Sequence, residues 1–270
     1  MTGPAPSASD GPNRPDHSWH LGAGLEGRGV IVTGAAGGIG RAIAISMAGA
    51  GARVAAIDRD EPGLRSTLSE LQGTGHLPVV FDLSDTSDIP QMVASVVERL
   101  GDLWALANVA AVLRRRSLDE VKEEDWDLQM DVNVKASFLL SREAGNAMVA
   151  SGGGGRIINF ASMAWLTGPF LGSDAYVIGK AGIVTMTRGL ARTFGPHGIL
   201  VNTISPGQID TPMQHLDNPA ELSERTAAQC PLGRMGRPEE VAAVAVFLAS
   251  HHASFVNGAT INVSGGLVMY

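Results

Sequence analysis

The chain is poor in several things that would each have announced a function. It has a single cysteine, Cys230, so no disulfide can form within one chain. That scarcity fits a reducing compartment. Basic residues do not exceed acidic ones: 20 stand against 27, a net charge of −7. Such a balance offers no general attraction to nucleic acid or to an anionic membrane surface. No apolar run reaches the length of a membrane span. The start lacks both a basic n-region and an apolar h-region, so it does not read as a secretory signal. Pro, Gly, Ser, Asp and His dominate there, and residues 1–26 are expected to form a flexible arm. A cytoplasmic location is expected. What remains, 27–270, is enough for one α/β domain with a sizeable core.

From Arg28 onward, short apolar runs alternate with helical patterns. Strands are expected at Gly29–Thr33, Arg53–Ile57, Leu77–Phe81, Leu103–Ala107, Arg156–Phe160, Leu200–Ile204 and Thr260–Val263. Near-continuous apolar strands suit a parallel sheet covered on both faces. Helices are expected at Ile39–Ala50, Glu61–Gln72, Thr86–Leu100, Glu123–Val149, Ala175–Phe194 and Pro238–Ser250. The last opens on Pro238-Glu239-Glu240, a good helix start. This regular alternation predicts an α/β doubly wound, seven-stranded parallel sheet of Rossmann type. The polar stretch 208–231, with Pro212, Pro219 and Pro231, breaks the rhythm and is expected to be a substrate lid.

The first strand runs into Thr33-Gly34-Ala35-Ala36-Gly37-Gly38-Ile39-Gly40. Side-chain-free backbone lets a pyrophosphate approach, and the following helix offers N–H groups and a positive dipole end. Gly34, Gly37, Gly38, Ile39 and Gly40 are therefore candidates for cofactor binding. By itself such a turn also serves as a tight strand–helix joint. Asp58 ends the second strand, 18 residues past Gly40. A carboxylate there can accept hydrogen bonds from both adenosine ribose hydroxyls and repel a 2′-phosphate. The pair favours NAD(H) over NADP(H), although Arg59, next to it, can pair with phosphate.

Tyr176 and Lys180 lie four apart on an expected helix and share one face. A free phenol titrates near ~10, and a nearby cation should lower that value. Tyr176 could then take a proton from an alcohol, or give one to a carbonyl. Ser162, just after the fifth strand, could orient the substrate oxygen. A lone Tyr-x3-Lys also occurs on solvated helix faces, so its setting matters.

That setting resembles a known family. Thr33-Gly34-x3-Gly38-x-Gly40, Asp82-Leu83, Asn108-Val109-Ala110, Asn133, Ser162, Tyr176-x3-Lys180 and Pro206-Gly207 occur in this order. Together they resemble the short, single-domain branch of the short-chain dehydrogenases/reductases, over about residues 28–267. The resemblance implies four catalytic residues: Asn133, Ser162, Tyr176 and Lys180. Asn133 would sit at a helix kink and hold a water of a proton relay. Lys180 would bond the nicotinamide ribose, and Tyr176 would face the same cofactor. Asp82 and Leu83 would frame the adenine, and Asn108 and Ala110 the adenosine–ribose side. Pro206, Gly207, Ile209 and Thr211 would cover the nicotinamide. It further implies a homo-oligomer, a dimer of dimers closed by the 257–270 region.

Three departures stand out. Ala107-Asn108-Val109-Ala110 replaces the family's Asn-Asn-Ala-Gly. Gly179 stands where a small hydroxyl residue often precedes the lysine. Ser162 and Tyr176 are 14 apart, one more than the commonest spacing.

The activity expected is interconversion of a secondary alcohol and a carbonyl by NAD(H), with no metal. Substrate contacts are expected at Ser162, Trp165, Tyr176 and Gln208, with Phe170 and Leu171 adding an apolar wall. Arg114-Arg115-Arg116 reads either as a solvated loop or as an anion site. Alternatives are an NADP-dependent 3-oxoacyl-type carbonyl reductase and a non-catalytic NAD sensor. The lack of a second substrate domain argues against a nucleotide-sugar epimerase, and a methyltransferase leaves Tyr-x3-Lys unexplained.

Overall fold

A computed structural model describes residues 20–169, 172–215 and 227–270. Seven strands form one sheet in the order β3-β2-β1-β4-β5-β6-β7, every pairing parallel. They are β1 Gly29–Thr33, β2 Arg53–Asp58, β3 Leu77–Val80, β4 Ala105–Asn108, β5 Gly155–Phe160, β6 Ile199–Pro206 and β7 Thr260–Val263. The helices that cover it are α1 Gly38–Gly49, α2 Glu61–Leu68, α3 Ile89–Leu100, α4 Glu123–Met130, α5 Ala136–Ser151, α6 Ala164–Thr167, α7 Asp174–Phe194, α8 Pro212–His215 and α9 Pro238–Ala249. None of the described helices is long and apolar enough to cross a membrane.

Strand periodicity builds the two cores. In β1, Val30 and Val32 face the layer of α1 and α9, while Ile31 faces that of α3, α5 and α7. Successive side chains on a strand point to opposite faces, so a strand buried on both sides is mostly apolar and hydrogen-bonds the polar groups it keeps. β4, β5 and β6 are buried along their whole lengths, and Asn108 and Asn159 bond each other across β4 and β5. Strand order reverses between β1 and β4, and ligands bind at such a switch point, beyond the carboxyl ends of the strands.

Two expectations change. Residues 20–26 are not part of an arm: Ala23 and Leu25 are fully buried, and His251 donates its backbone N–H to Ala23 O at 3.0 Å. Three glycines at positive φ, Gly22, Gly24 and Gly27, fold this polar-looking segment so that its two apolar residues turn inward. The helix expected as one piece at Glu123–Val149 is interrupted by a π turn, Asp131–Lys135, at the place where the family resemblance put a kink. Asn133, buried within it, donates through Nδ2 to Val112 O and accepts from Val112 N–H at Oδ1, both at 2.8 Å. π turns inside helices frequently mark functional sites.

Candidate active site

A cavity of about 1130 Å³ opens over the carboxyl ends of the strands. One end begins at the turn after β1. Gly34 and Gly38 hold φ of +69° and +52° there, values that favour glycine. A Cβ on Gly40 would lie 2.1 Å from Gly34 O, so only glycine lets α1 start this close to the strand. Gly37 differs: a Cβ there would meet nothing within 4 Å, and the residue lines the cavity. No acidic residue occupies the first turn of α1, which leaves its positive end open to an anion.

Asp58 sits at the mouth of this end with both oxygens anchored. Oδ2 accepts from Ala36 N–H and Oδ1 from Asp60 N–H, each at 3.1 Å. Each oxygen keeps a lone pair for a further donor. Arg59 leans 3.5 Å toward Asp82. The Asp82 carboxyl is held below its ordinary range, first by the Ser84 backbone N–H. Opposite, Thr33 Oγ1 accepts from Val109 and Ala110 N–H at 3.0 and 3.1 Å. That clasp holds the segment where this chain departs from Asn-Asn-Ala-Gly.

At the other end, Ser162 follows β5 and Tyr176 opens α7, with Lys180 one turn on. All three line the cavity. Ser162 lies close enough to the Tyr176 phenol to favour its ionised form, so the connecting loop absorbs the extra residue between them. Lys180 is 3% exposed. It donates from Nζ to Phe160 O at 2.7 Å, and Nζ stands 5.5 Å from the Tyr176 ring centroid. Burial pushes the Lys180 ammonium down to about 8. Burial pushes the Tyr176 phenol up to about 12, opposed by the Ser162 hydrogen bond and the Arg115 charge. This overturns the expectation of a phenol already lowered by Lys180. In the protein alone, desolvation of the phenolate outweighs nearby charge, and the tyrosine is held as an acid.

The cavity brings together Gly34, Gly37, Gly38, Ile39, Gly40, Asp58, Asp82, Leu83, Ala110, Ser162, Tyr176, Lys180, Pro206, Gly207, Gln208, Ile209 and Thr211. Three expected residues do not line it. Asn108 is buried in the sheet, donating to Asn159 Oδ1 at 2.9 Å and Ser141 Oγ at 3.0 Å; a residue still inside β4 points into the core rather than past the strand end. Asn133 is occupied with Val112, as above. Trp165 stands edge-on to Tyr270, ring centroids 5.5 Å apart, because α6 turns it toward the C-terminus. Phe170, Leu171 and 216–226 of the lid lie outside the described residues. Of the rest of the lid, Thr211, Met213, Gln214 and Gln229 line the cavity. Met163, at the start of the segment 163–174 expected to build the pocket, lines the cavity, whereas Leu128, Leu267 and Val268 were not singled out from sequence; their apolar character is that of any core residue, so nothing local marked them.

Comparison with known proteins fits this geometry. The family model described as enoyl-(acyl carrier protein) reductase matches residues 34–268. A (3R)-3-hydroxyacyl-CoA dehydrogenase of Rattus norvegicus is 37% identical over 249 residues, covering 88% of this chain and 95% of its own length. The chain belongs to the short-chain dehydrogenases/reductases. Among solved structures, a short-chain type dehydrogenase/reductase from Mycobacterium marinum superposes with a TM-score of 0.85 at 32% identity, covering 93% of this chain and 98% of that one. An Agrobacterium tumefaciens protein solved with bound NADP gives 0.83 at 34% identity, covering 92% and 99%. This short-chain dehydrogenase/reductase is thus an oxidoreductase acting on CH–OH groups, and the family's nicotinamide cofactors suit a cavity with a glycine turn at one end and a phenol at the other.

Proposed function

We propose that this dehydrogenase uses NAD(H) to interconvert a secondary alcohol and a ketone, with Tyr176 as the acid/base. The convergence of Ser162, Tyr176 and Lys180 at one end of a cavity that starts at Asp58 and the glycine turn carries this reading. The cofactor, when bound, supplies the hydride donor or acceptor and, in its oxidised form, a positive charge. Gly34, Gly37, Gly38, Ile39 and Gly40 would hold its pyrophosphate, Asp58 its adenosine ribose, and Lys180 its second ribose with the two ammonium donors that Phe160 leaves free. Pro206, Gly207, Ile209 and Thr211 would close over it.

In reduction, Tyr176 gives its phenolic proton to the carbonyl oxygen while Ser162 hydrogen-bonds the same oxygen; in oxidation the phenolate takes the proton back. Asn133 fixes the loop after β4 through Val112, and the π turn around it is our candidate for the relay water. The test is reduction of NAD by a panel of secondary alcohols, polyols and hydroxy acids. Turnover of none of them, with tight NAD binding, would mark a sensor and overturn the reading.

NAD is preferred because the anchored Asp58 carboxylate repels a 2′-phosphate, while Arg59 is drawn toward Asp82. We expect kcat/KM to favour NAD. Asp58→Ser should move the NADP-to-NAD ratio up by at least ~10-fold, since like charges in contact cost several kcal/mol. A wild type that prefers NADP defeats the argument.

We also propose a cytoplasmic homo-oligomer paired through α4–α5 and α7, whose outer faces expose Trp126, Phe138 and Ile178.

A further inference from the structure

We infer that the substrate of this site carries a free carboxylate and that Arg115 recognises it; the inference rests on the oxidoreductase reading above. Arg115 lines the cavity and also borders a smaller adjoining one with Arg116, Ser117, Glu120 and Lys122. Its Nε is buried without a hydrogen-bond partner, and no ion pair holds its guanidinium among the described residues. Its neighbour behaves differently: Arg116 pairs with Asp125 at 3.2 Å. Buried donors are normally satisfied, so an unsatisfied one in a cavity wall calls for a ligand.

The arginine is also held in place from both sides. Arg114 N–H donates to Oε1 of buried Gln129 at 3.0 Å, and Arg116 N–H to Gly172 O at 2.9 Å. Gly172, at φ +69°, fits so tightly that a Cβ would come 2.0 Å from Arg116 O. The loop is therefore built rather than draped, which distinguishes it from a solvated run of charges.

Charge is distributed unequally along the cavity. Asp58, Asp60 and Asp82 all line the cofactor end. Around Ser162 and Tyr176 the described walls other than Lys180 are apolar or neutral, including Ala111, Val112, Leu113 and Met163, and no carboxylate lines this end of the main cavity. Arg115 lies near enough for its charge to favour the Tyr176 phenolate against burial. A guanidinium fork takes a carboxylate through two parallel hydrogen bonds. Such a contact would fix a short hydroxy acid with its carbinol toward Tyr176 and Ser162.

The test compares short α- and β-hydroxy acids with their methyl esters, using the whole chain and saturating NAD. Wild type should prefer the acids, and Arg115→Gln should lower the acid-to-ester ratio of kcat/KM by ~10- to 100-fold, mainly through KM, as loss of a charge-assisted hydrogen bond implies. Arg115→Lys should recover part of it. Calorimetric titration of the same hydroxy acids into the NAD-loaded protein should show weaker binding to Arg115→Gln, whether or not they turn over. Acid and ester rates falling together, an unmoved ratio, unchanged binding, or a preference for a β-hydroxyacyl thioester over the free acid would each overturn the inference. Turnover of no alcohol at all would instead defeat the oxidoreductase reading, and the titration would still decide the role of Arg115.

Discussion

Replacing Tyr176 with Phe lowers kcat for alcohol oxidation by ~10²–10⁴-fold, the range for loss of a general acid/base, and leaves cofactor affinity nearly unchanged. The phenol is the group at the substrate end of the cavity able to exchange a proton with the substrate oxygen while Ser162 hydrogen-bonds it. Steady-state rates and NAD titration check this; a Phe variant at full rate sinks the mechanism. The pH behaviour sharpens the test. The chain has two tyrosines, Tyr176 and Tyr270, so Tyr270→Phe leaves one phenol to follow by ultraviolet difference titration. Without cofactor, that phenol should ionise above free tyrosine, toward about 12. With oxidised cofactor bound, the added positive charge favours phenolate against that burial, so the oxidation rate should rise through a lower pKa. NAD binding should accordingly tighten as pH rises. The stability sign is opposite: a folded-state pKa raised above the unfolded value gives stability that is full below ~10 and lost as pH climbs toward the folded value. Tyr176→Phe should flatten that alkaline loss. A cofactor-free phenol that ionises below free tyrosine would contradict the burial argument.

Gly40→Ala should weaken both the fold and the cofactor site. Its new Cβ would sit 2.1 Å from the Gly34 carbonyl oxygen, so α1 must shift away from β1. Overpacking costs ~1–3 kcal/mol, a Tm drop of roughly 2–12 °C for a domain of this size. The shift also displaces the N-terminal amides that face the cavity. Gly37→Ala is the control: its Cβ enters open space and the extended backbone tolerates it. It should lose only about 0.5 kcal/mol as a poorer helix cap, yet bind NAD more weakly because the methyl occupies the phosphate approach. Thermal unfolding and NAD titration of both variants decide. Equal, unperturbed behaviour of the two would show that the turn is a joint and nothing more.

Much of the site was legible because its chemistry is local. The glycine turn, Asp58 at a strand end and Tyr176 with Lys180 on one helix face are each set by a few adjacent residues, and strand periodicity carried the sheet that aligns them. Other positions were not legible because their surroundings come from distant segments. The family resemblance put Asn108 beside the adenosine ribose and Asn133 on a relay water, but one belongs to a buried polar network and the other pins Val112. Trp165 reads as a pocket aromatic until Tyr270 packs on it. The segment 20–26 reads as tail until three positive-φ glycines turn Ala23 and Leu25 inward.

By itself, then, the sequence determined the alternation of strands and helices, the glycine turn after the first strand and the placing of Tyr176 and Lys180 on one helix face, since all follow from short-range pattern and spacing. Only the tertiary structure decided the protonation bias of Tyr176 and which arginine of the run faces the cavity. Both depend on desolvation and on which charges converge from β4, β5 and α7, and neither quantity exists until the chain is folded.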